Sequence, residues 1–309
     1  MVLLGAIFKC LDPILILASI ESTRTFFLKP PNALDRANEI RSNMALGLPS
    51  DHYAALNAYR EWRFIKQEQG RNAANEYAYS NLMHVGGLAM IERTSLQMLE
   101  MLVEWDLVRD IPPSLRYNHE LGDPELNVNS DVQPLVLALL ASGLAPNLAV
   151  QTSPVLLQTG SDPKAMIHPS SINSGGLSMK EVGSSRKFRY LGAGPPGTLV
   201  LFSTKNATSG GIFLRETSVI GPLTGLMFAG KLQSVVDRSN VLTVDDWLPF
   251  KFETGVAPQV CQLTKCVDNV HPLSLAWISN CAVSGSNMVS IEGSEGKKAT
   301  TVGVTHIFL

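Results

Sequence analysis

The chain is poor in cysteine and in charge. It has four cysteines in 309 residues, too few and too scattered for a disulfide framework, and this scarcity favours a reducing, intracellular compartment. Charged residues make up 17% of the chain and apolar residues 45%. That balance excludes wholesale disorder and predicts a buried core, and the length leaves room for two or three domains.

Long apolar runs are also missing. Residues 1–20 contain Lys9 and the pair Asp12-Pro13, and the apolar residues 132–150 are interrupted by Pro134 and Pro146. Neither stretch therefore offers the run of about 18 apolar residues that a membrane span needs, and we predict no membrane partner. A secretory signal is only weakly indicated, because a charge lies inside the first run and no clear cleavage site follows.

Signatures of nucleotide binding, metal binding and catalysis are absent. The segment GPPGT at residues 194–198 begins like a phosphate-binding loop but lacks the Lys and Ser/Thr that complete one. Cys261 and Cys266 have no second pair of ligands nearby and the six histidines are dispersed, so a zinc site lacks its donors and we expect these two thiols on a helix. No Gly-x-Ser-x-Gly elbow occurs. We therefore predict no catalytic residue, no cofactor and no metal in this chain.

The pattern of apolar residues predicts helices first and strands afterwards. Helices are predicted from the capping pair Ser50-Asp51 to Gly70, over 73–83, from 88 to about Trp105 with Pro112-Pro113 as the stop, and over 132–144. Candidate strands are 149–157, 165–172, 198–204, 212–219, 232–237 and 247–252, with a short helix over 222–229. The predicted fold class is α+β, with a helical domain followed by a small β-barrel or sandwich.

The formal net charge of −2 is unevenly distributed. Residues 1–148 hold 12 Lys and Arg against 17 Asp and Glu, residues 149–253 hold 10 against 7, and residues 254–309 hold 3 against 3. The basic excess of the middle segment is compatible with phosphate contacts, but it is far smaller than the footprint that identifies a nucleic-acid binder.

Small polar side chains cluster in the segment KAMIHPSSIN at residues 164–173, and a strand, IFLRET, follows at 212–217. Hydroxyl, amide and basic groups of these segments are candidates for contacts with phosphate or ribose: Lys164, His168, Ser170, Ser171, Asn173 and Arg215. The alternative is that Pro169 and the serines only build a turn, since such contacts leave no signature in a sequence.

Four blocks in order resemble the C-terminal region of DEAH/RHA-type ATP-dependent RNA helicases. They are LLGAIFKCLDPILILAS at 3–19, SDHYAALNAYREW at 50–62, IHPSSIN at 167–173 and GGIFLRETSVIGPLTGLMFAG at 210–230. The resemblance covers residues 3–265 and implies a winged-helix remnant (1–29), a helical helicase-associated or ratchet domain (30–148), an OB-fold domain (149–253), and a closing helix with a tail (254–309). Thr94-Ser95-Leu96 depart from the family, whose ratchet helix commonly has a basic residue there.

The motor of such helicases is not encoded here. In the family two motor domains bind ATP and Mg, but neither the Walker A Gly-Lys-Thr nor the Asp-Glu-Ala-His box occurs in this chain, which we expect to be a fragment or a truncated product without ATP hydrolysis of its own. The resemblance implies an accessory role, in which this region holds the backbone of single-stranded RNA beside the motor domains. The alternative is a docking module for helicase-activating proteins that binds no RNA itself.

Overall fold

The computed structural model describes residues 1–23, 26–28, 30–110, 112, 119–174, 196–234, 240–252 and 259–262. The helices are α1 (Val2–Ile7), α2 (Leu11–Ser22), α3 (Leu34–Met44), α4 (Asp51–Glu68), α5 (Arg71–Ser80), α6 (Val85–Glu104), α7 (Gln133–Leu144) and α8 (Pro222–Phe228). The strands are β1 (Leu148–Gln151), β2 (Leu157–Thr159), β3 (Met166–Ile167), β4 (Leu199–Thr208), β5 (Gly211–Ile220), β6 (Leu232–Ser234), β7 (Val241–Val244) and β8 (Leu248–Lys251). The predicted α+β class is confirmed.

Helix α4 begins and ends at the residues that the sequence indicates. The Oγ of Ser50 accepts a hydrogen bond from the backbone N–H of Tyr53 at 3.0 Å and so caps the helix. Gly70 has φ of 90°, a left-handed conformation that glycine adopts without strain, and it separates α4 from α5. Helix α6 ends at Glu104, next to Trp105, where the helical pattern of the sequence was expected to end. Helix α3 was not predicted because its sequence, LDRANEIRSNM, is mostly polar.

Helix α2 lies at the centre of the helical part. It is apolar on all sides, and every residue from Leu11 to Ser19 is buried, as is typical of a helix that is surrounded by protein. The main hydrophobic cluster includes Ile14 on α2, Trp62 on α4 and Leu139 on α7, and continues into the strands through Leu201 on β4. One core therefore joins the helices to the sheet. None of the described helices is long and apolar enough to cross a membrane.

Five strands form a curled sheet in the order β2-β1-β4-β5-β3. Strands β4 and β5 form a long antiparallel hairpin in which Leu199 lies opposite Ile220 and Thr208 lies opposite Gly211. At the other end of the order, the short strand β3 runs parallel to β5. The sheet curls far enough for Leu157 of β2 to form an antiparallel bridge with Ala165, the residue before β3.

Two predicted strands are shorter than the sequence pattern indicates. Residues 149–157 were expected to form one strand, but the chain turns after Gln151 and begins β2 at Leu157, because the Ser153-Pro154 pair interrupts it. Residues 165–172 were also expected to form one strand, but only Met166–Ile167 are strand. A smaller sheet has the order β6-β7-β8. Its middle strand was not predicted.

The last described residues, 259–262, are helical, so Cys261 lies on a helix as expected. Cys266 and the tail lie outside the described residues, and so do residues 235–239, which include the end of the predicted strand 232–237.

Candidate nucleic-acid interface

The six candidate residues lie in two neighbouring segments of the curled sheet. Lys164 is exposed just before β3, and the segment 168–173 follows β3. Arg215 lies on β5, next to Leu214, whose carbonyl accepts a hydrogen bond of 2.8 Å from the N–H of His168. The structure therefore brings His168 and Arg215 together although 47 residues separate them in the sequence.

His168 and Arg215 are in direct side-chain contact. Arg215 Nη2 lies 2.9 Å from His168 Nε2, and a guanidinium can only donate. On the other side of the ring, His168 Nδ1 accepts a hydrogen bond from the backbone N–H of Ser170 at 3.1 Å and lies 2.9 Å from Ser170 Oγ, so the imidazole is held between Arg215 and the turn after β3. The ring of Phe213 approaches the imidazole in an edge contact, with 5.9 Å between the ring centroids.

The guanidinium of Arg215 has no anionic partner among the described residues. No carboxylate of residues 1–174, 196–234, 240–252 or 259–262 that the structure describes lies within 4.0 Å of it, and its Nε is buried without a hydrogen-bond partner among them. A half-buried cation that contacts an imidazole and leaves a donor unused is an incomplete arrangement, because buried charges are ordinarily paired with an opposite charge. An anion beside Arg215 would supply the missing counter-charge.

The other three candidates are buried. Ser170, Ser171 and Asn173 expose only 4%, 2% and 4% of their surface. The side-chain amide of Asn173 donates to the carbonyl of Pro49 at 3.1 Å and to the carbonyl of Thr217 at 3.0 Å. These three residues therefore hold the segment 168–173 against α4 and β5, as the turn alternative predicts.

Asp51, the first residue of α4, organises these contacts. Its carboxylate accepts hydrogen bonds from Ser171 Oγ at 2.5 Å, from the N–H of Ile172 at 3.1 Å and from the N–H of Thr217 at 2.9 Å. The guanidinium of Arg41, on α3, lies 3.5 Å from the carboxylate and also donates to the carbonyl of Ser170. One buried carboxylate thus fixes the turn after β3 and the middle of β5. We call Asp51, Arg41, Ser171, Asn173 and Thr217 the Asp51 hub.

Sequence reasoning identified Asp51 only as part of a helix start and did not identify Arg41. An acidic residue in the first turn of a helix has an ordinary role beside the helix dipole, so nothing local distinguishes Asp51.

No group of three or more His, Cys, Asp or Glu residues that could hold a metal ion occurs within the described part of the chain.

Relatives of the chain are RNA helicases. It is 28% identical over 276 residues to the ATP-dependent DNA/RNA helicase DHX36 of Bos taurus, covering 87% of this chain and 25% of that protein. It is 28% identical over 280 residues to the ATP-dependent RNA helicase dhx29 of Xenopus laevis, covering 87% of this chain and 19% of that protein. The chain is homologous to DEAH/RHA-type RNA helicases.

A plant DExH-box ATP-dependent RNA helicase, DExH4 of Arabidopsis thaliana, is also similar, with 25% identity over 80% of this chain and 18% of that protein. The chain spans about a quarter or less of the length of these helicases. No protein-family profile matches it.

Three of the four blocks that carry the helicase resemblance meet at the Asp51 hub. The block at 50–62 supplies Asp51, the block at 167–173 supplies Ser171 and Asn173, and the block at 210–230 supplies Thr217. The resemblance to DEAH/RHA-type helicases is thus concentrated where the helical part and the curled sheet are joined.

Proposed function

We propose that this chain is an accessory C-terminal region of a DEAH/RHA-type RNA helicase, which holds the backbone of single-stranded RNA beside ATP-driven motor domains. The observation that carries the proposal is the guanidinium of Arg215, which is half-buried and has no carboxylate beside it in the part of the chain that the structure describes. The two free oxygens of a phosphodiester can accept hydrogen bonds from a guanidinium in bidentate fashion and supply the negative charge that it lacks.

The proposed contacts divide into two groups by exposure. Lys164, His168 and Arg215 offer groups that reach the surface and are proposed to contact the RNA backbone. Ser170, Ser171 and Asn173 are proposed to position these contacts, since their polar groups already bond to protein. Four further cations, Lys180, Arg186, Lys187 and Arg189, lie between β3 and β4 in the sequence. Their segment lies outside the described residues.

The curled five-stranded sheet also supports the proposal. We propose that the curled sheet is an OB-type barrel, since it has five strands and the Leu157–Ala165 bridge connects β2 to the residue before β3. Small barrels of this type bind single strands with a cationic surface and little base readout. The domain boundaries at residues 29, 148 and 253 and an intracellular location remain predictions.

Salt titration of RNA binding tests the proposal. We expect the chain to bind a fluorescein-labelled single-stranded RNA with about micromolar or weaker affinity and to lose it as KCl rises. Arg215→Gln removes one proposed phosphate contact, so it should weaken binding at low salt and reduce the slope of log K against log salt by about 0.7. Arg71→Gln, an exposed residue on α5, is the matched control and should leave both quantities unchanged.

A second candidate is a docking surface for helicase-activating proteins. The exposed face of α6 has Met90 and Met101, with Trp105 directly after the helix, all between 41% and 59% exposed, and its only exposed cation is Arg93. Methionine and tryptophan suit a protein partner better than a phosphate backbone. No RNA binding at low salt would contradict the main proposal and leave this candidate.

A further inference from the structure

His52 is buried where four elements meet. Its side chain is 1% exposed, and it extends from the start of α4 toward α2, β4 and β5. Its Nε2 lies 2.9 Å from Ser203 Oγ on β4 and 3.3 Å from Glu21 Oε1 on α2. Its Nδ1 lies 2.6 Å from Ser218 Oγ on β5. Both ring nitrogens therefore have polar partners, and each partner belongs to a different element.

The hydroxyls around His52 can adjust to either protonation state of the ring. Ser50 Oγ accepts from the N–H of Tyr53 and lies 2.5 Å from Ser218 Oγ. When Nδ1 carries a proton it donates to Ser218, which then donates to Ser50. When Nδ1 loses that proton, Ser50 donates to Ser218, and Ser218 donates to Nδ1. The hydrogen bonds survive the change, because a hydroxyl can donate or accept.

Loss of the proton removes the positive charge of the ring, and with it the electrostatic attraction between His52 and Glu21. Ser203 Oγ donates to Glu21 Oε1 at 3.0 Å, so Nε2 and Ser203 both direct protons toward this carboxylate. The other charges that act on His52 are Asp51 on its own helix and Glu216 on β5. Arg41 on α3 is paired with Asp51. The ring thus has the carboxylate of Glu21 beside it in a buried place, where ion pairs are weakly screened.

We propose that the His52–Glu21 pair is a pH-sensitive lock between helix α2 and the β4–β5 hairpin, closed while His52 is an imidazolium and weakened when the ring loses its proton. The lock is independent of the proposed RNA contacts, which lie on other residues. Its effect is to make the attachment of the sheet to the helices depend on pH.

The direction of the effect follows from the two groups. Burial lowers the pKa of His52, but the hydrogen bond and charge of Glu21, together with the charges of Asp51 and Glu216, outweigh it, and the pKa is raised above the ordinary value of 6.5. A raised pKa means that this stabilisation is fully present below about pH 6.5 and is lost as the pH rises through the higher value of the folded state. Burial raises the pKa of Glu21, but the bonds to His52 and Ser203 lower it overall, so Glu21 stays charged throughout this range.

Thermal unfolding of the whole chain as a function of pH tests the lock. The midpoint of the wild-type chain should fall between pH 6 and 9 by about 2–4 °C more than that of Glu21→Gln, which keeps the shape of the side chain and removes its charge. Glu68→Gln is the matched control, since Glu68 forms a histidine pair of 2.7 Å with His119 that is 50% and 34% exposed. This variant should keep the wild-type pH dependence, because exposed pairs contribute little.

An unchanged pH dependence in Glu21→Gln would overturn the proposal. Nuclear magnetic resonance of the ¹⁵N-labelled imidazoles of the wild-type chain gives a second measurement that does not depend on a variant folding. We expect the titration of the His52 ring to have its midpoint above the ordinary value of 6.5. A midpoint at or below 6.5 would overturn the lock by itself.

Discussion

The carboxylate of Asp51 accepts a hydrogen bond of 2.9 Å from the backbone N–H of Thr217, which lies 166 residues later in the chain. Through this contact the first turn of a helix fixes the middle of a strand, and the strand presents Arg215 two residues away. The same carboxylate holds Ser171 and Ile172 after β3. The geometry of the proposed RNA contacts therefore depends on a residue that is itself buried.

Asp51→Asn should destabilise the protein strongly. The change keeps the size of the side chain but leaves the buried guanidinium of Arg41 without the carboxylate with which it is paired, and breaking a buried pair in this way costs about 3–5 kcal/mol. The loss is measured by urea unfolding followed by circular dichroism. Asp35→Asn, on an exposed residue in the first turn of α3, should cost less than about 0.5 kcal/mol. Equal losses in the two variants would contradict the importance of the Asp51 hub.

Asp12 should contribute stability that disappears in acid. The side chain is fully buried and receives Arg63 Nη1 at 2.7 Å, Arg60 Nη2 at 3.1 Å and the N–H of Leu121 at 3.0 Å. Burial raises the pKa of Asp12, but the charges of Arg63 and Arg60 lower it below the ordinary value of 3.8. Its contribution is therefore present above about pH 4 and is lost as the pH falls through the lowered value.

Asp12→Asn should accordingly lower the free energy of unfolding at pH 7 by about 3–5 kcal/mol, and its difference from the wild type should shrink as the pH falls below about 4. Denaturant titrations at several pH values measure both effects. The control is Asp131→Asn, because Asp131 also pairs with Arg60, at 3.6 Å, but is 96% exposed. A difference that stays constant down to pH 2 would show that the charge of Asp12 is not responsible.

Glu120 should titrate near neutral pH. Burial first, and then the charge of Asp12, raise its pKa to about 7. Because the folded value is higher than that of an unfolded glutamate, stability is lost as the pH rises from about 4.5 to 7. Glu120→Gln should remove this part of the pH dependence, and the ¹³C shift of the Glu120 carboxyl should report the pKa directly. In Asp12→Asn the pKa of Glu120 should fall. An unchanged pKa in this variant would show that the charge of Asp12 does not raise the pKa of Glu120.

Trp62→Ala should remove a large part of the core of the helical region. The indole is 3% exposed, lies 5.8 Å from the ring of Tyr59, and is covered on one face by the ammonium of Lys66. Truncation of a buried aromatic side chain costs about 3–5 kcal/mol, which chemical unfolding measures. Trp105→Ala is the matched control, since that indole is 59% exposed. A wild-type melting curve for Trp62→Ala would place the ring outside the core.

Local patterns predict the helices well and the site poorly. The stripe that ends with Trp62 and Ile65 and the cap at Ser50 define α4 to within two residues, because apolar spacing and capping act over a few residues. Helix α3 has no such stripe and is held by contacts such as Arg41 with Asp51, which are formed only in the folded chain. The segment 168–173 has β-type composition, but its side chains bond to α4 and it leaves the sheet after Ile167.

For the candidate residues too, residue type is read from the sequence, whereas contacts and exposure are formed only in the folded chain. Arg215 and His168 could be proposed from residue type alone, but their contact, and the absence of a carboxylate beside Arg215 among the described residues, depend on a pairing across 47 positions. Ser170, Ser171 and Asn173 have the same residue types and prove to be buried. Composition cannot separate these cases, since exposure is decided by the fold.

The Asp51 hub also limits how the helical part and the sheet can be exchanged during evolution. A recombination event that replaced either the helices or the sheet with an unrelated segment would leave Asp51 and Arg41, or Thr217 and Asn173, buried with no complementary surface to meet. Lineages are therefore expected to pass on both parts as a single unit, and insertions should accumulate in the exposed tip of the β4–β5 hairpin, around Ser209 and Gly210, where no such bond would be broken.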